Sequence, residues 1–177
     1  EVFAIKGYKN TNMHDLVQAT GLSAGGLYHH YKSTSEILCD LMIRGCKYRE
    51  DIIKKKISEI PKPLGIRVLA ELIVDKALSD NEFIPIYVMF LQSMQGDETL
   101  QQLYKEIQDS SIRNFEKMLE GHGYAKISKE SWGLLNDLIN TFILGCETLG
   151  IRALLISQRH IIEKMIIDVL IENGKEV

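Results

Sequence analysis

The sequence has only three prolines, three cysteines and one tryptophan in 177 residues, and no apolar run long enough to cross a bilayer. The nearest approach, Leu134 to Ile156, is interrupted by Asn136, Asp137, Asn140, Glu147 and Arg152. The opening Glu-Val-Phe-Ala-Ile-Lys-Gly has no basic start, no long apolar centre and no cleavage site, so it does not read as a secretory signal. The expectation is a cytoplasmic protein without a membrane partner. Scarce proline, with apolar residues recurring at three- and four-residue spacing, predicts an all-α chain. The cysteines are Cys39, Cys46 and Cys146, an odd number without a C-x-x-C pair, which argues against zinc or a disulfide framework. They read as small buried apolar residues. Redox sensing is the lesser alternative and needs an exposed thiol in electropositive surroundings. No nucleophile elbow, P-loop, dinucleotide fingerprint or H-E-x-x-H occurs, and no Ser/His/Asp set stands out. Hence no catalytic residue, cofactor or metal site is expected, and an enzyme is disfavoured.

What is present is an uneven charge. The whole chain carries −3, but residues 1–56 hold nine Lys/Arg against six Asp/Glu, while residues 57–177 hold twelve against eighteen. A mildly basic head on an acidic body suits a nucleic-acid module attached to a domain with another task.

Along the chain, Glu1 to Lys6 reads as the tail of a helix stopped by Gly7, which suggests that residues precede Glu1. A second helix starts with Thr11 as N-cap and carries the stripe Met13, Leu16, Val17. Thr20-Gly21-Leu22 ends it. Ser23 caps a third helix to about His30, with Leu27 and Tyr31 facing inward. Ser33-Thr34-Ser35-Glu36 has the capping-box pattern and opens a long helix striped by Ile37, Leu38, Leu41, Met42, Gly45, Tyr48 and Ile52. Pro61 and Pro63 break the chain after Lys54-Lys55-Lys56, a run read as a solvated helix end. Five more helices are expected over 63–79, 82–95, 98–121, 129–155 and 158–173, joined by short polar linkers at 79–81, 96–97 and 121–128. About nine helices result. The segments are a head at 1–33, a connecting helix at 34–56 and a ligand-binding and dimerisation body at 57–177.

Residues 11–31 carry the chemistry. Two short helices around Thr20-Gly21-Leu22 are what a helix-turn-helix requires. Gly21 allows the positive backbone angle of the turn, and Leu22 is expected to bury against Leu16 and Val17. Ser23, Ala24, Gly25 and Gly26 then lie at the end of the second helix that enters a major groove. Tyr28, His29, His30 and Lys32 supply donors suited to phosphate oxygens, Tyr28 having a structural role as its alternative. Because Ala24, Gly25 and Gly26 offer no bidentate base reader, direct readout falls to Ser23, to Thr11 and Asn12, or to apolar contact with thymine methyls. DNA shape takes more of the specificity. Thr34, at the start of the next helix, completes the candidate set. His29 and His30 are adjacent and point about 100° apart, so they do not form a metal site unaided.

Phe3, Lys6-Gly7-Tyr8, Thr11, Met13, Gly21-Leu22-Ser23, Leu27-Tyr28-His29-His30-Tyr31, Lys32-Ser33 and Glu36-Ile37-Leu38 together resemble the TetR family of bacterial regulators. The sequence departs from that pattern at Thr34 and Ser35, where the family usually has Lys and Glu. The resemblance implies about nine helices, a homodimer, and a repressor that leaves a palindromic operator when a ligand binds the body.

The last two expected helices are apolar nearly all round, which calls for two burial surfaces. A partner chain supplies the second in a four-helix interface, with Leu135, Phe142, Cys146, Leu149, Ile162, Ile166, Val169 and Leu170 as candidates. A ligand pocket is sought among Tyr87, Phe90, Met94, Phe115 and Met118, with Trp132, Asn136 and Asn140 opposite. The effector is expected to be small and largely apolar. An activator or a regulator without a small-molecule ligand shares the same head and is the alternative.

Overall fold

Several helix ends in this chain are set by glycine or by short polar side chains. In the computed structural model, which describes residues 1–122 and 127–172, the described residues form ten α-helices and no strand. They are α1 Val2–Lys6, α2 Met13–Thr20, α3 Ala24–His30, α4 Thr34–Ser58, α5 Ile66–Leu78, α6 Ile84–Ser93, α7 Glu98–Leu119, α8 Lys129–Leu149, α9 Arg152–Ser157 and α10 Arg159–Glu172. The count exceeds nine because the run expected as one helix over 129–155 is two. Gly150 takes a left-handed conformation at φ 66° and caps α8, and the chain restarts as α9. Position 173 of the last expected helix, and the middle of the linker 121–128, lie outside the described residues.

The helices fall into two compact units. One combines Glu1–Lys47 with Asn81–Ile107; the other combines Tyr48–Asp80 with the chain from Gln108 onward. Residues 81–107 group with the head, and α4 contributes residues to both units. In the first unit α1 packs against α6. Gly45 of α4 lets Phe83 approach closely, since a β-carbon at that position would lie 3.3 Å from the Phe83 side chain. The inward stripe of α4 begins as expected with Leu38 and Met42, then continues through Ile53 and Ile57, while Tyr48 and Ile52 are exposed. A strict seven-residue reading drifts off the face of a 3.6-residue helix over this length.

In the second unit α5 packs against both α8 and α10. Its inward residues include Leu69, Leu72, Ile73 and Val74, all buried. Two arginines fasten its open end and flank. Arg152 donates to the carbonyls of Leu78 (2.8 Å) and Ser79 and pairs with Glu147, satisfying acceptors that the helix leaves orphaned. Arg159 donates to Asp75 Oδ1 at 2.7 Å and to the Glu71 carbonyl at 3.1 Å. Lys56 reaches the other oxygen of Asp75 at 2.5 Å. Burial pushes the Asp75 carboxyl up, but the two cations together hold it below the ordinary value. Among the described residues no helix is long and apolar enough to cross a membrane.

Candidate nucleic-acid interface

The turn between α2 and α3 forms as its residues dictate. Gly21 sits at φ 68°, in the left-handed region, and its N–H closes α2 on the Val17 carbonyl at 3.2 Å. Ser23 Oγ accepts the Gly26 N–H at 3.1 Å, capping α3. Leu16 and Leu27 are buried and hold the two helices together. Leu22, expected to join them, is instead 50% exposed, because its position in the turn points it away from that contact.

At the start of α2 the cap is one residue later than expected. Asn12 Oδ1 accepts the Asp15 N–H, and Asp15 Oδ2 accepts the Asn12 N–H, both at 3.0 Å. Thr11 is 6% exposed and its hydroxyl donates to the Gly7 carbonyl at 2.8 Å. Thr11 therefore braces the α1–α2 corner, and its burial removes it from the surface where a DNA contact was expected. Asn12 is exposed.

The remaining candidates gather on the outer side of α3 and just beyond it. Ser23, Ala24, Gly25, Tyr28, His29, His30 and Lys32 are exposed, while Gly26 and Thr34 are half-buried. Tyr28, at 53% exposure, is not a core aromatic. Ala24, Gly25 and Tyr28, linked by i+3 and i+4 spacing, share an exposed side of α3, and Gly25 lies about 160° around the helix from buried Leu27. A β-carbon added at Gly25 would meet nothing within 4 Å, so packing does not demand glycine there; what its absence provides is a low surface. Ser23 uses an oxygen lone pair in the cap and keeps its O–H as a donor. The His29 and His30 rings stand edge to face at 5.2 Å, and the described residues contain no metal-capable group of three or more His, Cys, Asp or Glu.

Charge supports the same surface. Between Val2 and Ser35 the sole acid is Asp15. Lys6 neutralises it at 2.6 Å and, with the Asn12 N–H, lowers its carboxyl from the ordinary value. Exposed Lys9 and Lys32, with His29 and His30, meet no carboxylate within this stretch. That depletion was readable in the sequence and is a sharper signal than the net charge of residues 1–56. Ser33 Oγ accepts the Glu36 N–H at 3.2 Å, while the Glu36 carboxylate accepts the Lys32 N–H at 2.7 Å, so this acid is spent on a backbone cap.

A family model described as "Bacterial regulatory proteins, tetR family" matches residues 1–41, the stretch that holds this helix-turn-helix. Over residues 1–41 the chain is similar to the N-terminal part of TetR-family regulators. Its fold is similar to that of the solved Salmonella enterica GusR, with a TM-score of 0.71 and 17% identity over 96% of this chain and 89% of that one. A further match is the solved TetR-family transcriptional regulator PfmR from Thermus thermophilus, with a TM-score of 0.47 and 24% identity over 78% of this chain and 80% of that one. No curated protein matches the sequence. The family is one of DNA-binding regulators and not of enzymes.

Two clefts lie within the second unit. One has a free volume of only about 30 Å³ and lies between α4, α5, α7 and α8. Of the residues expected to line a ligand pocket it brings together Phe115, Trp132 and Asn136; the Phe115 and Trp132 rings meet edge to face at 5.3 Å. Trp132 Nε1 donates to Glu116 at 3.2 Å. Sequence reasoning missed Lys76 and Ser111, which also line it. A lysine within the otherwise apolar face of α5 was the available signal. The other cleft, about 650 Å³, is open and mixed in charge, and takes Met118 together with Lys117, Glu120 and His122. His122 Nδ1 is buried without a hydrogen-bond partner.

The other expected ligand residues lie elsewhere. Tyr87 and Phe90 are buried on α6 in the first unit, where Phe90 packs near both Tyr87 (6.3 Å) and Tyr104 (6.5 Å). Met94 caps the same helix, and Asn140 is buried one turn beyond Asn136 on α8. Aromatic and soft side chains mark core and cavity alike, so composition did not separate them.

The expected interface residues also divide. Leu135, Cys146, Ile162 and Ile166 are buried within the single chain and so are not available to a partner. Phe142, Val169 and Leu170 are half-buried, and Leu149 is 71% exposed. Two stripes on α8 account for the split. Trp132, Leu135, Ile139, Ile143 and Cys146 form the inner one. Leu134, Leu138, Phe142, Gly145 and Leu149 form another about 100° away around the helix.

Proposed function

We propose that this chain is a TetR-family regulator, a cytoplasmic homodimeric repressor which binds a palindromic operator and is released by a small, largely apolar ligand held in the Trp132 cleft. The second stripe of α8 carries the reading. A soluble helix needs one apolar face for its own core, and a further row with Leu134 and Leu149 exposed calls for a partner. Ile161 and Met165 of α10, one turn apart, extend the supply of uncovered apolar surface. A dimer places two copies of α3 about one DNA turn, ~34 Å, apart, as a two-fold operator requires. Ser23, Ala24 and Gly25 meet base edges, while Asn12, Tyr28, His29, His30 and Lys32 hold phosphates. Ligand binding favours a body conformation in which the heads no longer match that spacing.

A regulator without a small-molecule ligand is the second reading, and the small free volume of the Trp132 cleft favours it. The two are separated by one experiment. Sedimentation equilibrium of the intact protein, alone and on its promoter DNA, is expected to give a dimer that small apolar compounds detach from DNA. A monomer at micromolar concentration removes the first reading; a dimer that no compound detaches leaves the second.

A further inference from the structure

Four glycines lie between Glu1 and Ser33, and the fold explains three of them. Gly7 and Gly21 stand at positive φ, and a β-carbon on Gly26 would press on the capping Ser23 Oγ at 3.2 Å. Gly25 is different. It has an ordinary helical backbone in the exposed first turn of α3, and a β-carbon there would meet nothing within 4 Å. Glycine disfavours a helix relative to alanine, and no contact within the chain offsets that effect at position 25. Close approach of another molecule to the backbone is the remaining reason for a bare Cα. The polar groups nearby are engaged elsewhere. Thr11 is buried with its hydroxyl on the Gly7 carbonyl, while Asn12 Oδ1 and Ser23 Oγ accept the N–H groups of Asp15 and Gly26. Ala24 and Gly25 therefore offer a groove one methyl group and bare backbone.

We infer that Ala24 and Gly25 seat the 5-methyl group of one thymine in each half-site. The methyl rests against Ala24 Cβ and the backbone of Gly25, an approach that a side chain at position 25 blocks. This rests on α3 entering the major groove, as proposed above. Thymine alone among the four bases presents a methyl group there. The seat discriminates in both directions. A thymine methyl leaves water for contact with carbon, which is favourable. The amino group of a cytosine, or N7 of a purine, would lose its water at that place without gaining a partner. Gly25 is thus a specificity-determining residue through the side chain it lacks.

The test measures, by fluorescence anisotropy, binding of the intact protein to an operator duplex selected from random DNA. Copies of that duplex carry deoxyuridine in place of each thymine in turn, which removes the methyl group and nothing else. At one thymine of each half-site the replacement is expected to weaken binding about fourfold, the ~0.8 kcal/mol of one buried methyl. Gly25→Ala is expected to melt no lower than the wild type and to bind the operator about tenfold more weakly. It should also make thymine and deoxyuridine equivalent at that position. The inference is overturned if no replacement lowers affinity, if Gly25→Ala binds as the wild type does, or if it keeps the thymine preference; the operator reading stands in each case. A wild type that selects no DNA sequence overturns both. Should Gly25→Ala not fold, Ala24→Gly is measured on the same duplexes, and a thymine preference retained above about twofold overturns the inference.

Discussion

The Tyr31 hydroxyl donates to Asp40 Oδ2 at 2.5 Å, and Arg44 Nε donates to the same oxygen at 2.9 Å. Tyr31 closes the C-terminal end of α3 and Asp40 sits in α4, so the bond fixes the recognition helix to the long helix that follows it. The hydrogen bond to Asp40, with some burial, raises the Tyr31 hydroxyl above its ordinary pKa and keeps it a donor. Tyr31→Phe keeps the ring and removes the bond. It should cost about 1–2 kcal/mol, read as a fall in melting temperature of about 2–6 °C, with weaker DNA binding. An unchanged melting curve would show the bond to be incidental.

In the function proposed above, Tyr28 and Lys32 hold phosphates and do not read bases. The double substitution Tyr28→Ala with Lys32→Ala should weaken operator and random DNA alike and lower the slope of log affinity against log salt by about 1. Fluorescence anisotropy at several salt concentrations measures both. Unaltered affinity would strike these residues from the interface.

Replacing Phe142 and Leu149 by glutamate places two charges on the outer stripe of α8 without touching the inner one. Dimer affinity should fall by at least about a hundredfold, ~2.8 kcal/mol, while far-UV circular dichroism stays helical. Sedimentation velocity reads the outcome; a mutant still dimeric at micromolar concentration would move the interface elsewhere.

Asp75 makes part of the stability of the second unit dependent on pH. Its folded pKa lies below the unfolded value, so its contribution is complete above the unfolded carboxylate range near 3.9 and is lost as pH falls through the lower folded value. Asp75→Asn should cost about 1 kcal/mol at pH 7, since both ion pairs are partly exposed. Between pH 6 and pH 3 the wild type should lose more stability than the variant. Parallel urea midpoints across that range would contradict the pairing.

Local signals made the head legible and left most of the body illegible. Gly21, Ser23 and the Ser33–Glu36 cap each have one conformation that suits them, and each adopts it. Thr11 and Asn12 are both good N-caps, and nothing short of the Gly7 carbonyl above Thr11 decides between them. Leu22 shows the limit of reading a leucine as buried, since a turn residue follows the backbone direction and not a helical stripe. On α8 every apolar residue looks alike in sequence. Only packing against α5 separates Leu135 from Leu134, and Gly150 ends a helix that periodicity alone carries through to residue 155. The cleft is built from residues of four helices far apart in the chain, so periodicity within any one helix does not reveal its full lining.

Recognition of duplex DNA by the outer side of α3 underlies every other proposed role. Selection of bound duplexes from a random DNA library, followed by salt titration of the winners, tests this most directly. Inverted repeats with half-sites about ten base pairs apart and a steep loss of affinity with salt are predicted. Recovery of no enriched sequence, or of binding that survives high salt undiminished, would contradict it.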